Sequence, residues 1–499
     1  MLGDKDLISV QQARILAENA SEVRKRLAVL PQEALDAMVE AMADAVESQA
    51  QSLAVMSREE SGCGAWQDKL LKNLFVCRRV RQSLRGMCCV GRLDGCDPPD
   101  TAAAGVYEVG VPLGVIVALC PAFGPVSTTV YKALLAIKSG NAIIFSLHPR
   151  TIDTMRRVLD IMIAAGQAHG MPEGAISYLD VVSRSGTEEL MRHREVSLIL
   201  ITGVLGMFEA ARTCGKPLIY GGTGNGPAFI ERSADIPRAV CDIIASKSFD
   251  NGLAPSAEQC VIVDGCVEGQ VRKAFQDHGA HFMTAAEAAA LCNVLYYPDG
   301  RRHRDMMGQP AALLAQKAGF AIPAGAKVLV AERKYVTRDD PYTRELLSPV
   351  LAYYVEPDWL HACEKCIELL LQERHAQTLT IHSRDENVIR QFALKKPVAR
   401  LLVNTGAAFG GMGLTTNITP AMTQGSGIAG YGITSDNISP MNLIYRRIVG
   451  YGVRTLAHIE ELAAQAAPEG AQGAPVPEDA FELLRRVLRD ALARTPQAG

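Results

Sequence analysis

The spacing of apolar side chains divides the chain into a helical N-terminal part and a longer part in which strands and helices alternate. Through residues 8–95, apolar residues recur three and four positions apart, as in AILAENASEVRKRLAVL and ALDAMVEAMADAVESQAQSLAVM. This period predicts amphipathic helices, because residues three and four apart share a helix face. From about residue 105, the β-branched runs GVIVALC, NAIIFSLHP, ISYLDVV and SLILITG alternate with helical stretches. Such alternation is typical of βαβ units and a mostly parallel sheet.

A second α/β region is predicted from about residue 241 to 430. Its strand-like runs are CVIVDG, KVLVAE, PVLAYYV and LTIHS, and the glycine-rich segment NTGAAFGGMGLTTNITP lies near its end. Residues 464–476 are rich in Ala, Gly and Pro, which predicts a linker. Residues 477–496 predict a short amphipathic helix, whose apolar face would consist of Phe481, Leu484, Val487, Leu488, Ala491 and Leu492.

Composition narrows the class of protein. With 499 residues the chain exceeds the roughly 250–300 residues at which single cores stop growing, so we expect two large domains. A net charge of −3 makes nucleic acid an unexpected partner. The sequence shows no secretory signal and no apolar run of the roughly 20 residues that cross a bilayer, which predicts a cytoplasmic protein without a membrane partner. Thirteen scattered cysteines suit a reducing compartment.

Three segments are candidate ligand sites. Cys363 and Cys366 form a CxxC, but no second pair follows at zinc-site spacing and the surrounding residues predict a helix, so no metal is expected. The segment GGTGNGP fails as a dinucleotide fingerprint because Pro227 stands at the third glycine position. A better phosphate site is Thr202–Gly206, which follows the strand SLILI and opens a helix whose N–H groups favour a pyrophosphate. The alternative there is a simple packing turn.

Several segments in one order resemble the CoA-acylating branch of the aldehyde dehydrogenase superfamily, over residues 10 to 455. These are GxxxWQDKLLKN near 64–73, VPLGVIVALCP, GNAIIFSLHPR, TGVLGM, SKSFDNG, LSPVL and GSGIAGYGITSDNISPMNLI. The resemblance implies an α/β fold with a Rossmann-like cofactor domain, an α/β catalytic domain and a small β oligomerisation element. It implies the reaction of a short aldehyde, CoA and NAD⁺ to acyl-CoA and NADH, with NADP as the other cofactor candidate.

The resemblance also implies a division of the chain. Residues 1–104 and 112–240 would form the dinucleotide-binding domain, and residues 241–430 the catalytic domain. Residues 105–111 and 431–455 would supply oligomerisation strands. The helix at 477–496 resembles encapsulation peptides that dock enzymes onto microcompartment shell proteins, which would place the protein in a bacterial microcompartment lumen. The alternative is a helix that packs on its own subunit or within an oligomer.

Cofactor contacts follow from the same resemblance. His148, Pro149 and Arg150 would lie near the adenine-side ribose or phosphate, and Glu345 would reach the nicotinamide ribose. Thr202 and Gly203 would lie beside the nicotinamide, with Gly206 in the same turn. The alternatives are that His148 only caps a strand end and that Glu345 is a solvated surface acid.

Two positions depart from the family pattern. Relatives read FDNGxxC, with the nucleophilic cysteine last, whereas here Pro255 ends the run; proline has neither a thiol nor an N–H for the oxyanion. The oxyanion asparagine expected after VALCP is replaced by Gly124. Cys120 is the alternative nucleophile, since Ser256 lacks an evident base and Cys260 begins a strand. Two functions remain open: an acylating enzyme, or an inactive homologue that assembles with an active relative as a homo- or hetero-oligomer.

Overall fold

The computed structural model describes residues 4–93, 105–372, 377–427 and 430–458, together with four residues of the predicted C-terminal helix, Glu482, Arg485, Arg486 and Arg489. The chain divides into two compact units. The first comprises residues 1–95 and 108–447, and the second comprises residues 96–107 and 448–499. Within the described residues, none of the helices combines the length and apolarity that a membrane span requires.

The N-terminal part is helical, as its periodicity predicts. Its helices are α1 (Lys5–Leu27), α2 (Gln32–Glu47), α3 (Ala50–Ser61), α4 (Trp66–Leu74), a π-helical segment (Phe75–Val80) and α5 (Arg81–Leu84). The Asp4 side chain begins α1 by accepting from the N–H groups of Asp6 and Leu7. Gly62, at φ 70°, ends α3 in the left-handed conformation that glycine adopts without steric cost. The start of α1 and the end of α3 therefore follow known capping patterns.

A five-stranded parallel sheet follows, in the order β5-β4-β3-β6-β7. Its strands are β3 (Val115–Leu119), β4 (Ala142–Ser146), β5 (Ile176–Leu179), β6 (Val196–Thr202) and β7 (Leu218–Gly221). The helices between and after them are α6 (Pro125–Lys138), α7 (Ile152–Ala168), α8 (Arg184–Arg192) and α9 (Leu205–Arg212). Every residue of β3 and β4 is buried, as expected for a sheet covered on both faces.

A second parallel sheet has seven strands, in the order β10-β11-β12-β9-β8-β13-β14. Its strands are β8 (Pro227–Ile230), β9 (Cys260–Asp264), β10 (Ala280–Met283), β11 (Val328–Glu332), β12 (Val350–Glu356), β13 (Thr378–His382) and β14 (Arg400–Val403). Its helices are α10 (Ile236–Ser248), α11 (Glu268–Asp277), α12 (Ala285–Leu295), α13 (Ala311–Ala318), α14 (Trp359–Gln372), α15 (Glu386–Lys395) and α16 (Ala407–Met412). The α/β class with parallel sheets is confirmed.

The passage from one sheet to the other differs from the predicted boundary at residue 240. Residues 222–226 connect β7, the edge strand of the first sheet, to β8 in the second. Residues 227–240 therefore belong with the second sheet, because β8 pairs with β9 and β13. The short, proline-initiated run PAFI gave no strand signal of its own.

A third, small sheet has the order β1-β2-β15, formed by β1 (Gly91–Arg92), β2 (Val106–Pro112) and β15 (Ile444–Gly450). Strands β1 and β2 are antiparallel, with Gly91 opposite Gly110. Strands thus exist within both segments for which an oligomerisation role is predicted, and the role itself stays a prediction. The linker at 464–476 lies outside the described residues. The predicted helix at 477–496 also lies outside them, except Glu482, Arg485, Arg486 and Arg489, which are helical and exposed.

Candidate functional site

A small cavity lies where segments from both parallel sheets meet in the first unit. Its volume is about 70 Å³. The segments around it are the loop after β3, the ends of β6 and β7, the loop after α10 and the chain after α16. The lining residues are Lys72, Pro121, Phe123, Gly124, Thr128, Thr202, Gly221, Gly222, Phe249, Leu253, Ala254, Pro255, Ser256, Gln377, Met412, Met422 and Gln424.

The loop after α10 is fixed by a buried charge cluster around Asp250. Asp250 and Asn251 have φ values of 49° and 54°, in the left-handed region that Asp and Asn tolerate better than most residues. The Asp250 carboxylate accepts from Lys72 Nζ at 2.5 Å and from Lys69 Nζ at 3.2 Å. Burial, followed by the nearby Lys72 charge, lowers the pKa of Lys69. These contacts hold the loop and leave the Lys72 charge paired.

Gly64 and Gly224 allow the loop its close contacts. A Cβ atom on Gly64 would lie 2.0 Å from Asp250 Oδ1, and one on Gly224 would lie 1.7 Å from the carbonyl oxygen of Pro255. Neither position accepts a side chain without movement of the loop. Glycine is therefore required at both places by packing, and the GGTGNG segment has a structural use that is independent of a nucleotide fingerprint.

The structure brings together the two positions at which the sequence predicts a departure from the family pattern. Pro255 and Gly124 both line the cavity. Gly124 precedes α6 with φ −144°, an extended value open to any residue. A Cβ atom there would lie 3.3 Å from Thr128 Oγ1, so a larger side chain requires a small adjustment of Thr128. The two positions are thus neighbours in space although more than a hundred residues separate them.

Thiols are absent from this cavity in the part of the chain that the structure describes. Cys120 is 1% exposed, does not line the cavity, and has a pKa raised by burial. Cys260, the first residue of β9, is also 1% exposed, and burial raises its pKa well above the ordinary value. A thiol is a poor nucleophile until it ionises, so neither cysteine is prepared for attack. Cys363 and Cys366 are buried on α14, and the described residues contain no group of metal-ligand side chains.

A wider cleft of about 1000 Å³ is lined by another set of residues and shares Phe123 with the cavity. Five arginines line it, Arg150, Arg301, Arg302, Arg304 and Arg344, against two acids, Asp305 and Glu345. The excess positive charge favours phosphate groups. The strand–turn–helix at Thr202–Gly206 is confirmed, because β6 ends at Thr202 and α9 begins at Leu205.

The predicted cofactor residues are distributed over both spaces. Arg150, Gly203 and Glu345 line the cleft and Thr202 lines the cavity, whereas His148, Pro149 and Gly206 line neither.

His148 and Glu345 have distinct surroundings. Burial, and then the charges of Arg150 and Arg304, lower the pKa of His148 to about 4, which keeps the ring neutral near pH 7. Glu345 is only 2% exposed. Its Oε1 accepts a hydrogen bond from the Gly224 N–H at 2.8 Å, and its Oε2 lies 3.5 Å from Arg302 Nη1. The alternative of a solvated surface acid is therefore wrong for Glu345.

Sequence reasoning missed four polar residues at the cavity: Lys72, Thr128, Gln377 and Gln424. Lys72 belongs to the WQDKLLKN motif, so the motif could have pointed to it as a site residue. No local pattern marks the two glutamines, because Gln377 lies just before β13 and Gln424 lies in the chain between α16 and β15.

The two parallel sheets, the arginine-rich cleft and the small cavity lie together in the first unit. Residues 2–287 match the aldehyde dehydrogenase family, and the chain belongs to that family.

Similar proteins include the bifunctional aldehyde-alcohol dehydrogenase AdhE of Escherichia coli K12, 34% identical over 446 residues, which cover 88% of this chain and 49% of AdhE. The chain thus spans about half the length of this relative. A probable aldehyde dehydrogenase from Listeria monocytogenes EGD-e has a TM-score of 0.88 at 44% identity, covering 92% of this chain and 100% of the other. An acetylating aldehyde dehydrogenase from Geobacillus thermoglucosidasius has a TM-score of 0.87 at 36% identity, with coverage of 91% and 99%.

Proposed function

We propose that this chain is a nucleotide-binding member of the acylating branch that forms no thioester itself and assembles with an active relative. The observation that carries the proposal is the cavity without a thiol: of the described cysteines, none lines it. Acylating chemistry begins with a thiolate that attacks the aldehyde. Without that nucleophile the first covalent step has no partner on the protein.

The cavity supports the same conclusion at the neighbouring positions. Pro255 and Gly124, which the resemblance assigns to the nucleophile and the oxyanion amide, line one cavity and offer neither group. Ser256 also lines it, but the described lining residues include neither histidine nor carboxylate to act as its base. The Lys72 ammonium is held by Asp250. A relocated acyl-transfer nucleophile is therefore poorly supported.

The cleft supports binding of a phosphate-bearing cofactor, either NAD or NADP, and of CoA. Its arginines match the phosphates, and the Thr223 hydroxyl, buried in the cleft wall, has no hydrogen-bond partner in the described part of the chain. Gly203 has φ 62° and its Cβ position would lie 3.1 Å from Phe123, so the backbone there approaches the aromatic ring closely. A nicotinamide dinucleotide supplies a hydride acceptor when bound; this chain's residues would hold its phosphates and exclude water.

A competing function is CoA-dependent oxidation of a short aldehyde, and the acetylating relative at 36% identity favours it. In that case Cys120 or Cys260 would have to move into the cavity and ionise. Both are buried within regular packing, beside or within strands of the two sheets. The competing function thus requires a local rearrangement as well as catalysis.

One assay separates the two functions. The purified chain is given propanal or acetaldehyde with CoA and NAD⁺ or NADP⁺, and reduced cofactor is followed by absorbance, with the Geobacillus relative as positive control. We expect no CoA-dependent reduction above a trace. Robust turnover would overturn the proposal, and the variants Cys120→Ala and Cys260→Ala would then identify the recruited thiol.

The sequence of the C-terminal segment supports a proposed location of the protein in the cell. The sequence of residues 477–496 predicts an apolar helical face behind a small-residue linker, which would suit docking into a groove of a microcompartment shell protein. On this proposal the chain lies in the lumen beside its active relative, with small aldehydes and CoA as the molecules handled there.

A further inference from the structure

The side chain of Gln424 is buried beside the cavity. Gln424 is 8% exposed and lines the cavity, and among the described residues its Oε1 atom has no hydrogen-bond partner. Its amide makes no hydrogen bond with any residue in the described part of the chain. Buried polar atoms in native proteins nearly always have a partner, because leaving one unpaired is costly. The arrangement thus leaves an unpaired, buried amide oxygen on a residue that lines the cavity.

The surrounding packing accommodates this amide. A Cβ atom on Gly411 would lie 3.0 Å from Gln424 Oε1 and 3.2 Å from its Nε2. A side chain at position 411 would therefore crowd the amide, and glycine avoids this contact. Gln377, the other glutamine of the cavity, is already used, since its Nε2 donates to the Gly222 carbonyl at 2.6 Å. Gln424 is therefore the cavity glutamine available to a ligand.

The rest of the lining restricts what the ligand can be. Phe249, Leu253, Met412 and Met422 supply apolar walls, which favour an apolar tail over a chain of water molecules. Lys72 is the charged residue among the described lining residues, and its Nζ donates to Asp250 Oδ2 at 2.5 Å. Because this charge is already paired, the lining does not favour an ionic ligand. The volume of about 70 Å³ exceeds several-fold the roughly 10–15 Å³ that one water needs, which leaves room for a few non-hydrogen atoms.

We infer that the cavity reversibly binds a short, uncharged molecule whose polar end both donates and accepts a hydrogen bond, with Gln424 as the recognition residue. A carboxamide offers two donors and one acceptor, so a primary amide or the hydrated form of a short aldehyde is its best complement. The inference deepens the proposed function, on which it rests only in that the ligand is held without a covalent bond. It assigns a ligand to the cavity, whereas the cleft is assigned to the cofactor.

Propionamide is a suitable probe, and butanone, of the same size but only an acceptor, is its matched control. Binding to the full chain is measured by ligand-observed NMR titration without dinucleotide or CoA. We expect propionamide to bind more tightly than butanone. In Gln424→Met, a side chain of similar length without donor or acceptor, the dissociation constant for propionamide should rise about tenfold, as loss of a hydrogen bond predicts, and the preference over butanone should vanish. The melting temperature of this variant should not fall, since a buried unpaired amide has been removed.

Failure would be plain in either of two ways. Equal propionamide affinity in the native chain and Gln424→Met, or no binding of either probe to the native chain, would overturn the inference and leave water as the cavity's occupant. If Gln424→Met does not fold, Gln424→Leu is titrated in its place with the same criteria. Turnover in the CoA assay would overturn the proposed function while leaving these titrations unaffected, so the two failures are distinguishable.

Discussion

The cleft and the cavity share Phe123 and differ in nearly every physical respect. The cleft is wide and lined by five arginines, whereas the cavity is small, largely apolar and holds one lysine whose charge is already paired. Phosphate recognition needs only charges at the right distance, and several arginines can share it. Covalent catalysis depends on single atoms, a sulfur and an oxyanion donor, that nothing nearby replaces. One region can therefore keep its function when its neighbour has lost it.

The largest expected effect comes from giving the cavity the two missing groups. Pro255→Cys with Gly124→Asn should produce CoA-dependent NADH formation where the native chain shows none. Pro255→Cys alone should be slower than the double variant by about 10²–10³, the usual effect of one oxyanion donor. Initial rates with propanal measure both. The double variant Pro255→Ser with Gly124→Asn is the control. If the variant Pro255→Cys with Gly124→Asn forms no NADH but still binds dinucleotide, the assignment of these two positions is contradicted.

The cleft should respond to loss of its charge. Millimolar NAD⁺, NADP⁺ or CoA should raise the melting temperature of the native chain, because a ligand that binds only the folded state stabilises it by mass action. Arg304 has no ion-pair partner among the described residues, so Arg304→Gln should weaken binding by about tenfold, as loss of a charge-assisted hydrogen bond predicts. Titration calorimetry measures the change, and Arg194→Gln, at a side chain 82% exposed, is the control. No shift with any of the three ligands would mean that the cleft has also lost its function.

Burial of His148, together with the nearby charges of Arg150 and Arg304, predicts a pH effect on stability. Its pKa in the folded chain is about 4, below the ordinary 6.5, so the unfolded chain takes up the proton first as the pH falls. The stabilising contribution is complete above pH 6.5 and is lost as the pH falls through 4, amounting to about 2 kcal/mol after allowance for partial exposure. Urea unfolding at pH 7 and pH 5 should show a smaller difference for His148→Gln than for the native chain. The exposed His169→Gln should keep the native difference; an unchanged difference in His148→Gln would contradict the burial of a neutral ring.

Much of the fold could be predicted from the sequence because several buried strands, such as β3, β4 and β9, are compact runs rich in β-branched residues. Strand β8 could not, since its four residues begin with proline and pair only through partners distant in the chain. The site divides in the same way. Thr202 and Gly203 follow a strand signal, but Gln424 becomes a cavity residue only when segments near residues 72, 124, 255 and 424 converge, and no local period records that convergence.

The smallest expected effect on the cleft and the cavity comes from removing the C-terminal segment. All residues that line either space precede residue 448, and residues 464–476 contain almost no bulky apolar side chain on which the core could depend. Deletion of residues 477–499 should leave the melting temperature, the oligomer size and dinucleotide binding nearly unchanged, as calorimetry and light scattering can measure.

Residues 465–499 fused to a fluorescent protein should form puncta in a host that makes shell proteins. The Leu484→Glu, Leu488→Glu version should stay diffuse, because an unpaired charge is costly to bury in an apolar groove. If the deletion breaks the oligomer or lowers the melting temperature by several degrees, the segment is structural and the docking proposal falls.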